Sequence, residues 1–239
     1  YWLENGCLRE HGNSKDVCEH YIQAYYENLH EEFITEKKDQ SPQLVIDINS
    51  FNALQHTPKQ DQRLPFINAS NLRNDLRLFQ FDPHAPSFGL GGCRIIRADL
   101  CDTSGQSLSW VVGGEEVTLI IDAIALQDLL SPILGFIVKD RLGQTLFGDN
   151  TFLSYMNNPC TCSTGEFLNA RFSFQMPRLS LGDYSITLAI ADGTQEKHIQ
   201  HQWIFDAIIF RSESTSVSAG LVGIPMSNIS LTTEKSLSS

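Results

Sequence analysis

The chain has 239 residues, 41% apolar and 19% charged, enough for one sizeable domain with appendages. A net charge of −11, with no Lys/Arg cluster to offset it, argues against nucleic acid and against an anionic membrane surface as partners. The most apolar stretch, Val117 to Leu126, is short and carries Asp122, far from the roughly 20 apolar residues of a membrane span.

The start, YWLENGCLRE, has neither the basic flank nor the apolar run of a signal peptide, and no initiator Met, so the chain reads as part of a longer protein. Tyr1 to Arg9 reads as a strand and turn, with Asn5-Gly6 as the turn. Ser14 is suited to cap a helix with Asp16 in its first turn. Val17, Tyr21, Tyr25, Leu29 and Phe33 recur every four residues as one apolar stripe, read as packing surface. Residues 1–36 thus look like the tail of another domain.

Proline then dominates, at Pro42, Pro58, Pro65, Pro83 and Pro86, and the stretch TPKQDQRLP is polar and aperiodic. Residues 37–78 read as a linker. Within it Leu44 to Leu54 is apolar enough to dock on a neighbour, and Leu72, Leu76 and Phe79 have the spacing of a short helical turn.

Strand patterns follow. Cys93–Cys101 is a strand, Asp102 to Gly105 a turn, and Ser107–Val112 its expected hairpin partner. Val117–Ala125 is strongly β-branched. Pro132–Lys139 and Gln144–Phe147 flank the turn Asp140 to Gly143. In Phe167–Gln175, Leu168, Ala170, Phe172 and Phe174 point one way, and Asn169, Arg171, Ser173 and Gln175 the other. Tyr184–Ala191 and Lys197–Phe210 form a hairpin through Asp192-Gly193, and a short last strand, Gly220–Ile224, stops at Pro225. Eight or nine strands with no helical crossover predict an all-β fold. The expected architecture is an antiparallel β-sandwich, jelly-roll or immunoglobulin-like, over residues 79–226, with a short N-terminal helical segment and linker before it and a disordered polar tail at 227–239.

Motifs for catalysis are not found. Gly89-Leu-Gly91-Gly92 precedes a strand instead of opening a helix, so it is not a phosphate loop. There is no G-x-S-x-G and no H-E-x-x-H. Asp99, Asp122 and Asp140 would have to pair in space to serve a glycosidase; solvated carboxylates are the ordinary reading. Cys7, Cys18, Cys93, Cys101, Cys160 and Cys162 lack the dense spacing of a disulfide framework and read as reduced thiols. No second Cys/His pair stands at zinc spacing from Cys160 and Cys162, so no metal is expected. The polar strand faces are the better candidates. Arg97 and Asp99 alternate on one strand, Asn169, Arg171, Ser173 and Gln175 on a second, and His201 and Trp203 on a third. Such donors and acceptors, with Trp203 or Tyr155 to stack on a ring, suit a glycan; the plain alternative is polar-outward sandwich surface.

Four stretches resemble the C-terminal domain of Wzt-type O-antigen export ATPases. They are Phe81-Asp-Pro through Phe88-Gly-Leu-Gly-Gly-Cys-Arg-Ile95, Pro132-Ile-Leu-Gly-Phe136 through Lys139-Asp-Arg-Leu-Gly-Gln-Thr-Leu-Phe-Gly-Asp-Asn-Thr151, Leu179-Ser-Leu-Gly-Asp-Tyr184 and Gly220-Leu-Val-Gly-Ile-Pro225. Leu3-Glu-Asn-Gly6, Gly12, Val17 and Tyr21 resemble the end of an ABC nucleotide-binding domain, which would account for residues 1–36. The resemblance implies a cytoplasmic protein, peripheral at the inner membrane. It implies a β-sandwich that recognises the modified non-reducing end of O-polysaccharide and couples chain completion to export with a transmembrane subunit. It also implies a homodimer that exchanges terminal strands, here Gly220, Leu221, Val222, Gly223 and Ile224. ATP and magnesium would belong to the missing nucleotide-binding domain; with no Walker motifs, this chain carries no cofactor and no enzyme activity of its own. The alternative is a structural dimerisation domain without glycan recognition.

Overall fold

The computed structural model describes residues 1–33, 61–213, 220–227 and 229–231. The Leu44 to Leu54 stretch and most of the polar tail lie outside them. Asn5 and Gly6 take positive φ (49° and 80°) and turn strand β1 (Trp2–Glu4) into β2 (Cys7–Glu10). Helix α1 (Ser14–Phe33) follows. Its cap is Asn13, one residue before the expected Ser14, because the Asn13 Oδ1 accepts the Lys15 N–H at 3.0 Å. Then come α2 (Leu64–Asn68), β3 (Asp75–Leu78), β4 (Ser87–Phe88), β5 (Cys93–Cys101), β6 (Trp110–Val112) and β7 (Glu116–Ala125). The chain continues through β8 (Pro132–Asp140), β9 (Thr145–Asn150), the single-turn α3 (Phe152–Tyr155), β10 (Phe167–Gln175), β11 (Arg178–Leu179), β12 (Gly182–Gly193), β13 (His198–Ser212) and β14 (Val222–Gly223).

Two antiparallel sheets face each other, as the alternation predicts. The smaller runs β10-β7-β5; the larger runs β6-β3-β13-β12-β8-β9, with β4 also on β13. Between them lie Leu119, Ile121, Leu134, Phe136, Leu188, Ile190, Ile204 and Phe210, all buried. Phe136 sits at an aromatic centre, 5.1 Å from the Phe172 ring and stacked 5.7 Å from Phe174. All six cysteines are free, and burial pushes the Cys93 thiol up to about 11.

Two local expectations are corrected. Leu72, Leu76 and Phe79 do not make a helical turn: Leu76 and Leu78 alternate inward from β3, because ladder partners on both sides, β13 and β6, outweigh a short helical period. Ser107–Val112 is not a full hairpin partner of β5. After the single bridge Cys101↔Ser107 the chain changes sheet, and β6 pairs with β3, where Val111 and Val112 are buried.

Strands β8 and β12 are covered on both faces. Ile133, Lys139, Ser185, Thr187 and Ala191 point away from the core yet are buried. Helix α1 lies over this outer face. Of the expected stripe Val17 is buried, but Tyr21 and Tyr25 are about half exposed, and the residues turned to the sheet are Lys15, Glu19, Ile22 and Tyr26. A bulge in β13 receives it: the register jumps from Ile186↔Ile208 to Leu188↔Ile204, and Asp206 takes φ 50° and binds the Lys15 ammonium. Burial, with the nearby Asp206 charge, pushes the Glu19 carboxyl up; burial likewise lowers the Lys139 ammonium, which rests over the Phe205 ring.

The Gly89 to Gly92 stretch is a strap across β13. Leu90 and Gly91 N–H groups donate to the Gln200 and His201 carbonyls at 3.0 and 2.9 Å. A Cβ on Gly89 would meet the His201 carbonyl oxygen at 2.3 Å, at a φ of 136°. Gly89→Ala is therefore expected to cost about 2–4 kcal/mol, the positive-φ penalty plus a backbone clash, read as a fall in the denaturant midpoint at unchanged slope.

Candidate functional site

Beside α1 the outer face of the larger sheet opens into a cleft of about 390 Å³. Its floor is β8 and β12: Ile133, Gly135, Ile137, Thr187, Ala189 and Ala191. Edge strand β9 gives one wall, with Thr145, Gly148, Asp149 and Asn150. The opposite wall is Gln200 and Trp203 of β13 with Tyr26 of α1, and Gln195 and His198 stand at the hairpin end. Glycine keeps the floor low and β9 close: a Cβ on Gly148 would meet the Phe136 carbonyl oxygen at 2.3 Å, and one on Gly135 the Asn150 side chain at 2.9 Å.

The aromatic wall is rigid. The Tyr26 ring lies 5.7 Å from Trp203 and 6.0 Å from Phe88, which stacks on Trp203 in turn. Burial pushes the Tyr26 phenol up, so it keeps its proton. His198 Nδ1 lies 3.0 Å from the Thr194 carbonyl, which can only accept, so Nδ1 carries a proton and donates. The Asn150 amide donates to Gln195 Oε1 at 3.2 Å. Two lining groups, the Thr187 hydroxyl and the Trp203 indole N–H, are buried with no hydrogen-bond partner among the described residues. Such groups cost free energy until something bonds to them.

The residues picked out by sequence fall in four places. Arg97, Asp99, Asn169, Arg171, Ser173 and Gln175 share the outer face of the smaller sheet. There they bond to one another: Arg97 to Asp99 at 2.6 Å, Arg171 Nε to Asn169 Oδ1 at 2.9 Å, Asn169 to Asp122, and Ser173 to Thr118 at 2.8 Å. Trp203 lines the cleft on the other sheet. His201 is buried under the glycine strap, and Tyr155 is exposed on α3. Val222 and Gly223 of the terminal segment pair with Leu179 and Arg178 of the same chain. Among the described residues no three His, Cys, Asp or Glu cluster to hold a metal, and no helix is long and apolar enough to cross a membrane.

Residues 84–224 match the family model of the Wzt C-terminal domain. The chain belongs to that family. A crystal structure of the C-terminal domain of Wzt shares the fold, with TM-score 0.53 and 22% identity over 63% of this chain and 91% of that one. Among curated proteins, none matches the chain. The Wzt C-terminal domain match runs from β4 to β14 and so includes every lining residue of the cleft but Tyr26. Tyr26, beside Trp203, lies outside the matched stretch, as do α2 and β3.

Proposed function

We propose that this Wzt C-terminal domain is the glycan-reading module of an O-polysaccharide exporter. It holds the modified non-reducing end of the finished polymer in the cleft on β8, β9, β12 and β13, and thereby couples completion to export. The unsatisfied Thr187 hydroxyl and Trp203 indole N–H, set beside an aromatic wall in a largely apolar trough, carry this reading. A sugar supplies what they lack: hydroxyls for the polar groups and a C–H face for the rings. The module works by binding and not by catalysis. It acts in the cytoplasm, peripheral at the inner membrane, with residues 1–36 as the end of a nucleotide-binding domain and a transmembrane subunit as partner. Two copies would associate by exchanging residues 220–224, seated here on β11 of the same chain.

The ladder of Arg97, Asp99, Asn169, Arg171, Ser173 and Gln175 is the second reading for the site, favoured by its row of donors and acceptors, although those groups largely satisfy one another. NMR titration of the chain with O-polysaccharide from its own source, with and without the terminal modification, separates the two. Binding is expected only to the modified polymer, with a micromolar to millimolar Kd because little area is buried. Ala189→Phe, which fills the trough opposite Trp203, should abolish it with the spectrum otherwise intact, while Arg171→Ala should leave it unchanged. The reverse pattern moves the site to the smaller sheet, and a stable dimer that binds neither polymer leaves only the dimerisation role.

A further inference from the structure

The charge inventory of the cleft narrows what its occupant can be. Among the described residues the lining carries one carboxylate, Asp149, one imidazole, His198, and no lysine or arginine. Two ammonium groups on the same face are already engaged: Lys15 binds Asp206, and Lys139, 4% exposed, rests over the Phe205 ring. An anionic cap would enter a recess whose lining holds no lysine or arginine, would meet Asp149, and would approach a chain of net charge −11. The floor adds a shape argument. Gly135 and Ala189, paired across the ladder and next to Trp203, make a low apolar seat with no side-chain polar atom to replace lost hydration.

On the reading that the cleft holds a glycan terminus, we infer that it selects an uncharged terminus bearing an apolar substituent, such as a methyl ether or a deoxy position, against phosphate- or carboxylate-bearing ones. The substituent rests on Gly135 and Ala189, the ring's C–H face lies on Trp203, and hydroxyls bond to Thr187 and Asp149. Asp149 is exposed and its Oδ1 takes only the N–H of the next residue, so its second oxygen is open to a sugar hydroxyl.

The test uses the whole chain and three preparations of the O-polysaccharide from its source. One is untreated, one is dephosphorylated with cold aqueous hydrogen fluoride, and one has its carboxylates reduced to alcohols by carbodiimide and borohydride. All three are expected to bind with Kd values within about twofold of one another, and with little change between low and high salt, because no ion pair is screened. Asp149→Asn is expected to weaken binding about tenfold, since it removes a charged acceptor. Loss of binding after either treatment, or unchanged or tighter binding by Asp149→Asn, overturns this inference while binding of the untreated polymer keeps the glycan-reading function standing. If the untreated polymer itself does not bind, both fall.

Discussion

Asp61→Ala should destabilise the domain by about 3–5 kcal/mol, the range for removing one partner of a buried ion pair. The Asp61 carboxylate is fully buried. It takes two hydrogen bonds from the Arg63 side chain at 3.0 and 2.9 Å, one from Arg178 at 2.8 Å and one from the Met226 N–H at 2.9 Å. Arg178 also donates to the Ile224 carbonyl at 3.2 Å. One carboxylate thus ties the start of the sandwich to β11 and to the segment that carries β14. Without it the guanidinium of Arg178, 3% exposed, stays buried without its carboxylate partner, and the terminal strand loses its anchor. The hydrogen bonds from Arg63, then those from Arg178 and Met226, hold the Asp61 carboxyl far below the usual carboxylate range. A depressed value means that this contribution is complete above the unfolded carboxyl value of about 4 and is lost progressively as pH falls below it. Thermal unfolding from pH 7 down to pH 2 should therefore show the wild type losing its margin over Asp61→Ala in the acid limb. A constant margin across that range would show that Asp61 does not act through its charge.

Phe136→Ala should cost a similar 3–5 kcal/mol, from lost burial plus the cavity left behind. Its ring contacts Phe172, Phe174 and, at 6.4 Å, Phe147, so the void would open between both sheets at once. Phe136→Leu refills most of that space and should cost under about 1.5 kcal/mol. Equilibrium urea unfolding of both variants measures the difference; equal losses would mean that the aromatic contacts matter more than volume. Because Gly135 and Ile137 flank Phe136 on the cleft side, the alanine variant should also loosen the floor and weaken any glycan affinity, while the leucine variant keeps it.

The sandwich was legible because alternation in β10, the Asn-Gly and Asp-Gly turns and the β-branched run of β7 all act through near neighbours. What escaped depends on distant partners. Asp61 lies in a polar, proline-flanked stretch that reads as linker, and nothing local announces Arg178, 117 residues away. Ser107–Val112 has the spacing of a hairpin, and only the free edge of β3 draws it to the other sheet. The cleft was legible in one residue, Trp203. Its floor is hidden in β8 and β12, whose near-continuous apolar and small residues do not tell which face holds a trough. The available signal was that continuity itself: a strand apolar on both faces must be covered on both, and α1 was the element left to cover it. Tyr21 with Tyr25, and Lys15, Glu19, Ile22 with Tyr26, are both stripes at helical spacing, and only the bulge at Asp206, which binds Lys15, turns the second toward the sheet.

That docking has a thermodynamic corollary. Tyr26 is a wall of the cleft and also part of the seat by which α1 rests on Trp203 and Phe88. An occupant that touches Tyr26 therefore cannot be indifferent to where the helix lies. If docking of α1 raises its affinity tenfold, the occupied cleft must in turn hold α1 down by the same factor, about 1.4 kcal/mol, since the two equilibria share one free-energy cycle. Helix α1 is joined to the β1–β2 hairpin upstream by a short turn, so an occupant of the cleft would be felt by the preceding part of the chain through an element already in contact with it.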